Sequence, residues 1–315
     1  MKPKFIPKSG ISKSAASCLV VLMACGSVDQ ATPDAPGGDD APTGDDAATD
    51  AAIPTGRCDL AKPFGTPTLV PNINTSNDEF AFTTTRDELA GFVTHVVQSG
   101  PTATILATGR RTTSDDFAVP NTILTSAINN ATGNEHGASP TADGLLVYFH
   151  RQVGSVIAVL ASARATGGKF PSGDGVFIDG KQLFGALSVT ISADGATLYW
   201  LDINDFKLHS ATRGLTPTSF TGDTIAATMP IGTNAVLTPD ELTLYYANGD
   251  GPDILETTRA SKNVPFAPGV PVANVNSPQN DYPTHLSYDG CVLYLVSRRA
   301  GGIGGPDIWE ARRPL

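Results

Sequence analysis

The sequence predicts an all-β fold, a five-bladed β-propeller, from three observations. One segment pattern recurs five times, its copies hold strand and turn residues instead of helix formers, and the front of the repeat region supplies a piece that the last copy lacks.

The pattern begins with an Asp-Gly or Asp-Glu turn followed by an aromatic strand. Its copies start at Asp87, Asp143, Asp194, Asp240 and Asp289, at spacings of 56, 51, 46 and 49 residues. The strands read Leu89 to Val93, Leu145 to Phe149, Ala196 to Trp200, Leu242 to Tyr246 and Cys291 to Leu295. A second strand follows in each copy and ends at Arg110, Arg164, Arg213, Arg259 or Arg312-Arg313. Six or seven residues later, four copies place Phe117, Phe170, Phe220 and Phe266. A small sheet of this kind cannot cover both of its own faces. Radial stacking solves that, because each sheet shields the next and leaves only short edges.

The fifth copy stops at Leu315, before its Phe strand. A matching segment, Phe64-Gly65-Thr66-Pro67 through Asn74-Thr75-Ser76, lies ahead of the first copy. Phe64 precedes Asp87 by 23 residues, as Phe266 precedes Asp289. The segment is therefore expected to complete blade five and close the ring.

The chain has three expected parts: a signal over 1–24, a tether over 25–56 and the propeller over 57–315. Lys2, Lys4, Lys8 and Lys13 precede a short apolar run from Ala15 to Ala24, the order of a secretory signal. That run is shorter than the roughly 20 residues that span a bilayer. Residues 26–56 carry seven Asp among Ala, Gly, Pro, Thr and Ser until Arg57. So little apolar surface cannot offset the entropy of ordering, so a solvated spacer is expected. The net charge of −10 excludes the clustered cations of a nucleic-acid footprint.

Leu22-Met23-Ala24-Cys25 resembles the lipobox of bacterial lipoproteins, which implies acylation of Cys25. An ordinary secretory signal with an incidental cysteine is the alternative. Gly26 in place of Asp, by the same resemblance, favours the outer membrane, with the periplasmic or surface face left open. The membrane is then a partner through the lipid anchor.

Ser287-Tyr288-Asp289-Gly290-Cys291-Val292-Leu293-Tyr294, continuing through Ser297-Arg298-Arg299 to Pro306-Asp307-Ile308-Trp309, is similar to the WD40-like or PD40 repeat of TolB-type propellers. The likeness covers about residues 60 to 315, closest in blade five and weakest in blade one. It implies a non-enzymatic scaffold in the cell envelope; the tether, the closed repeat and the lack of a complete catalytic motif add the expectation that it binds protein or glycan.

Cys58 and Cys291 are the cysteines outside the signal and lipobox. An exported chain sits where disulfides persist, and the two lie at one side of blade five, so a bond stapling the ring is expected. Two unpaired buried thiols are the alternative.

Carboxylates precede the inner strand in three blades: Asp78 and Glu79, Glu135, and Asp281. Blades five, one and two adjoin in a closed ring, so these acids are expected to line an arc of the channel mouth, with Arg151 and Arg298 as ion-pair partners. Carboxylates on successive blades also suit a carbohydrate-active hydrolase or lyase, which is the alternative function. The acid is, however, the usual residue of this repeat, and no catalytic residue, metal site or cofactor is expected. Residues 175–182 have phosphate-loop glycines but Gln182 where Ser or Thr is needed. Residues 248–253 are oxygen-rich without a downstream Glu at calcium-loop spacing. Both read as turns. His95, His136, His150, His209 and His285 are scattered without ligand spacing.

Overall fold

The computed structural model describes residues 56–97, 102–129, 132–249 and 253–315. The signal, Cys25 and the tether up to residue 55 lie outside the described residues.

Five sheets follow one another along the chain, antiparallel except where Ser219 and Phe220 pair in parallel with Phe177 and Ile178. Blade one holds Asp78–Thr84, Ala90–Val96 and Ala103–Gly109, its fourth strand reduced to a bridge between Ala107 and Asn121. Blade two holds Asn134–Pro140, Leu146–Val153, Val156–Ala163 and Asp174–Gly175. Blade three holds Ala186–Ile191, Thr197–Asp202, Leu208–Arg213 and Ser219–Ile225, widened by Phe177–Ile178 and Lys181–Gln182. The expected turn over 175–182 is that widening hairpin. Blade four holds Thr233–Leu237, Thr243–Ala247, Ile254–Thr258 and Val270–Pro271.

Blade five combines Asp281–Leu286, Val292–Ser297 and Asp307–Arg312 with Thr68–Leu69 from the front of the domain. Thr68 pairs with Glu310 and Leu69 with Trp309. The first strand of each blade packs against that of the next, and 281–286 meets 78–84, so the ring is closed.

Strand alternation explains where the core lies. Successive side chains point to opposite faces of a sheet, so a central strand needs apolar residues on both. Leu198 and Trp200 enter the core shared with blade two, while Tyr199 and Leu201 enter the core shared with blade four. Three more interblade cores repeat this around the ring. The seam between blades four and five takes in Phe64, fully buried beside Trp309 and Tyr245.

The repeated turn is built from its own side chains. Thr85, Thr141, Ser192, Thr238 and Ser287 each donate a hydroxyl proton to the Asp two residues on, at 2.5 to 2.7 Å. That Asp accepts a backbone N–H from two residues further along. The residue after each Asp is left-handed, with φ between 57° and 73°. Glycine meets that demand without cost in three blades; Glu88 and Glu241 meet it in the other two. The repeated arginine then donates to the carbonyl of this left-handed residue in four blades, from Arg110, Arg213, Arg259 and Arg313. Arg164 turns instead to the Gly168 carbonyl.

Cys58 and Cys291 form a disulfide, with Cα atoms 5.7 Å apart. Beside it, Arg57 donates to both carboxylate oxygens of Asp289, at 2.7 and 2.9 Å, and to Glu88 of blade one. The N-terminal segment therefore clamps the seam between blades five and one.

Candidate functional site

The inner strands enclose a central cavity of about 390 Å³, to which all five blades contribute. The level one residue before the middle of the inner strand decides its character. Phe80, His136 and Tyr282 occupy that level in blades one, two and five and line the cavity. Blades five, one and two adjoin, so the three rings form an aromatic arc. Opposite it, blades three and four present Ser188, Thr190, Thr233 and Asn234. Ser188 and Asn234 are left-handed residues, with φ of 52° and 45°, set at bulges in their strands. Such bulges re-aim side chains, and the Ser188 hydroxyl thereby accepts the Ala235 N–H at 3.1 Å.

Three histidines scattered in sequence meet here. His136 and His150 stack with ring centroids 5.2 Å apart and planes 9° apart. His285 has its Nε2 at 2.8 Å from the Thr84 hydroxyl. Burial disfavours the imidazolium, so His136 titrates below the usual range and His150 and His285 are pushed down to about 3. All three are neutral at physiological pH. The His150 Nδ1 and the Thr284 Oγ1 are buried without a hydrogen-bond partner among the described residues.

Glu241 is the one charged residue among those lining the cavity. It is fully buried and accepts from the Tyr199 hydroxyl at 2.5 Å and the Lys262 ammonium at 2.5 Å. Arg259 in turn donates to the Tyr199 oxygen at 3.1 Å. Its charge is thus met within the wall.

The acids expected at the channel mouth, Asp78, Glu79, Glu135 and Asp281, are not among the residues that line this cavity. Glu79, Glu135 and Asp281 are wholly buried and held from behind. Glu135 accepts from Arg151 Nε at 2.7 Å, and Asp281 accepts from Arg299 Nη2 at 2.6 Å and from the Ser277 N–H at 2.6 Å. Glu79 accepts from the Thr75 hydroxyl at 2.7 Å and its N–H at 3.2 Å. Burial pushes the Glu79 carboxyl up to about 7, partly offset by the Thr75 hydrogen bonds and reinforced by Asp307 and Asp78. The cause is alternation: on a strand, an acid facing away from the channel puts the next residue in it. Glu79, Glu135 and Asp281 thus direct Phe80, His136 and Tyr282 inward. Arg151 is the partner expected for Glu135, but Arg298 lies 3.9 Å from Asp78 while Arg299 holds Asp281.

Histidine spacing along the chain hid these imidazoles from sequence reasoning. Aligning the copies on their Asp turns exposes two of them, because His136 and His285 fall on inner strands. Of the 248–253 segment, residues 250–252 lie outside the described residues; at its ends the Asn248 side chain accepts the Asp253 N–H. Among the described residues there is no group of three or more His, Cys, Asp or Glu side chains placed to hold a metal ion. No helix among them is long and apolar enough to cross a membrane.

No protein-family model matches the chain, and no curated protein matches it. Solved structures are similar in fold. A putative glycoside hydrolase from Bacteroides ovatus has a TM-score of 0.49 at 12% identity, over 82% of this chain and 95% of the other. A gluconolactonase from Xanthomonas campestris has a TM-score of 0.46 at 10% identity, over 82% and 94%. TolB from Acinetobacter baumannii has a TM-score of 0.43 at 10% identity, over 75% of this chain and 54% of the other. These likenesses concern the fold alone. Proteins named as enzymes are among them, so the expectation of a non-enzymatic chain finds no support here and is withdrawn. Propeller blades supply a frame, and channel residues vary on it independently.

Proposed function

We propose that this chain is an exported lipoprotein, held at the cell envelope through Cys25 and its acidic spacer, whose propeller takes a ligand into the central cavity. The observation that carries the binding half is a cavity lined by all five blades, beside which the His150 Nδ1 is buried without a hydrogen-bond partner among the described residues. A polar group shielded from water costs about 1–3 kcal/mol unless something satisfies it. A concave, mostly apolar pocket with a few convergent polar groups is the usual form of a small-ligand site. The anchoring half rests on the basic run, the short apolar run and the lipobox-like Leu22-Met23-Ala24-Cys25. The outer membrane is the proposed destination, by Gly26 after the cysteine.

Two measurements test the halves separately. Metabolic labelling with a fatty acid should mark the full chain, and Cys25→Ser should lose the label and leave the membrane fraction. Native mass spectrometry of protein purified from envelopes should reveal a small-molecule adduct. Thr233 is exposed and lines the cavity, so Thr233→Trp should plug it and remove the adduct with little change in folding. An adduct that survives the plug would overturn the cavity as the site.

A further inference from the structure

We infer that the central cavity selects an uncharged, hydroxyl-rich ligand of one or two rings, a neutral sugar or cyclic polyol. The inference rests on the cavity reading above and adds the chemical class.

Charge decides the first half. No Lys or Arg lines the cavity, so an anion would leave water without a cationic partner. The only lining carboxylate, Glu241, is already held by Tyr199 and Lys262, so a cation would find no free counter-charge. The three imidazoles are neutral at physiological pH. An ionic ligand would therefore pay its full desolvation in this space.

The two-sided lining decides the second half. Phe80, His136 and Tyr282 present rings on one side, and Tyr288 adds another. Ser188, Thr190, Thr233 and Asn234 present hydroxyl and amide groups on the other. A sugar ring has that same asymmetry, with C–H groups on a face and hydroxyls around its rim. The partnerless atoms fit as well. A hydroxyl both donates and accepts, so one brought within reach of the buried His150 Nδ1 or Thr284 Oγ1 would satisfy it, the imidazole in either tautomer. The volume of about 390 Å³ lies within the usual range of small-ligand sites, roughly 300–1,000 Å³, toward its lower end.

The experiment is calorimetric titration and saturation-transfer NMR on the purified full chain in detergent. The probes are glucose, mannose, galactose, N-acetylglucosamine, cellobiose and inositol, with glucuronate, glucosamine and a tetra-alanine peptide alongside. The expected result is one-site binding by at least one neutral probe and at least about tenfold weaker binding by its charged counterparts. Phe80→Ala, at an exposed ring, and the isosteric Thr284→Val should each weaken that binding by about tenfold or more while the melting temperature stays within a few degrees. Equal binding of the charged probes, preference for the peptide, or unchanged affinity in folded Thr284→Val would overturn the inference. So would silence from every sugar and polyol. In that case an envelope adduct removed by Thr233→Trp would leave the cavity reading standing and defeat only the ligand class; loss of both would defeat both.

Discussion

The Arg313 guanidinium lies 3.9 Å from the centroid of the Phe64 ring, joining residues at opposite ends of the propeller. Arg110 over Phe117, at 4.3 Å, and Arg259 over Phe266, at 4.4 Å, make the same contact inside blades one and four. In those blades the two residues are seven apart in the chain. In blade five the chain order is reversed but the contact is kept, so the ends are joined by the same packing unit that finishes the other blades. Arg313 also donates to the Gly290 carbonyl and to the Tyr245 hydroxyl of blade four, both at 3.2 Å.

Phe64→Ala should therefore weaken the whole ring, not fray one end. Removing a fully buried Phe typically costs about 3–5 kcal/mol. Phe64→Leu keeps most of the volume but gives up the cation–π contact and the edge-to-face packing on Tyr245, and should cost about 1–2 kcal/mol. Urea unfolding followed by aromatic fluorescence checks both, and a loss below 1 kcal/mol for Phe64→Ala would show that the segment is dispensable.

The Cys58–Cys291 bond links positions 233 residues apart. Cross-linking so long a loop removes much denatured-state entropy, and loss of a native disulfide typically costs about 2–5 kcal/mol. Dithiothreitol should lower the urea midpoint of the wild type and leave Cys58→Ser unmoved at the reduced value. A midpoint indifferent to reductant would mean that the Arg57 clamp and Thr68–Leu69 already close the ring unaided.

The five copies and their closing segment were legible in the sequence because they arise from local rules: turn chemistry, strand alternation and the need of each sheet for a cover. The Phe64 to Asp87 spacing carried the closure. The acids that the sequence singled out lie one residue from side chains that line the candidate cavity. Glu79, Glu135 and Asp281 mark the right level on the right blades, but alternation turns them outward and gives the channel to Phe80, His136 and Tyr282. Which face of an inner strand looks into the ring depends on the bulges at 79–81, 136–139 and 283–285, which no residue pattern announces. The stacking of His136 on His150 is a pairing across strands and leaves no trace in linear spacing.

Glu88 sets two effects against each other. Its left-handed backbone, φ 57°, costs about 1–2 kcal/mol that glycine would not. Its buried carboxylate joins Arg57 and Arg110, and removing one side of such a network typically costs about 3–5 kcal/mol. The larger effect should win, so Glu88→Gly should destabilise by about 2 kcal/mol despite relieving the backbone. Glu88→Gln, which keeps the strain and loses the charge, should be the worse variant in the same urea titration. A more stable glycine variant would show the ion pairs to be idle.

Glu79 should leave a signature in the pH dependence of stability. Burial is the main cause that moves its carboxyl from 4.5 up to about 7, with Thr75 opposing and Asp307 and Asp78 assisting. His95, 3.9 Å away, is itself shifted down by burial. The folded chain thus holds a proton between about pH 4.5 and 7 that the unfolded chain releases. Stability from this group is complete below the unfolded value and is lost as the pH rises through the folded one. His150 and His285 act in the opposite sense: their depressed values favour folding above 6.5, and that support fades on acidification toward 3. A wild-type profile mixes these slopes, but Glu79→Gln removes only the first. Unfolding free energies at pH 5 and pH 8 should show the wild type losing more stability than the Gln variant over that rise. If the two fall in parallel, the carboxyl is already ionised at pH 5, and the Thr75 hydrogen bonds outweigh its burial.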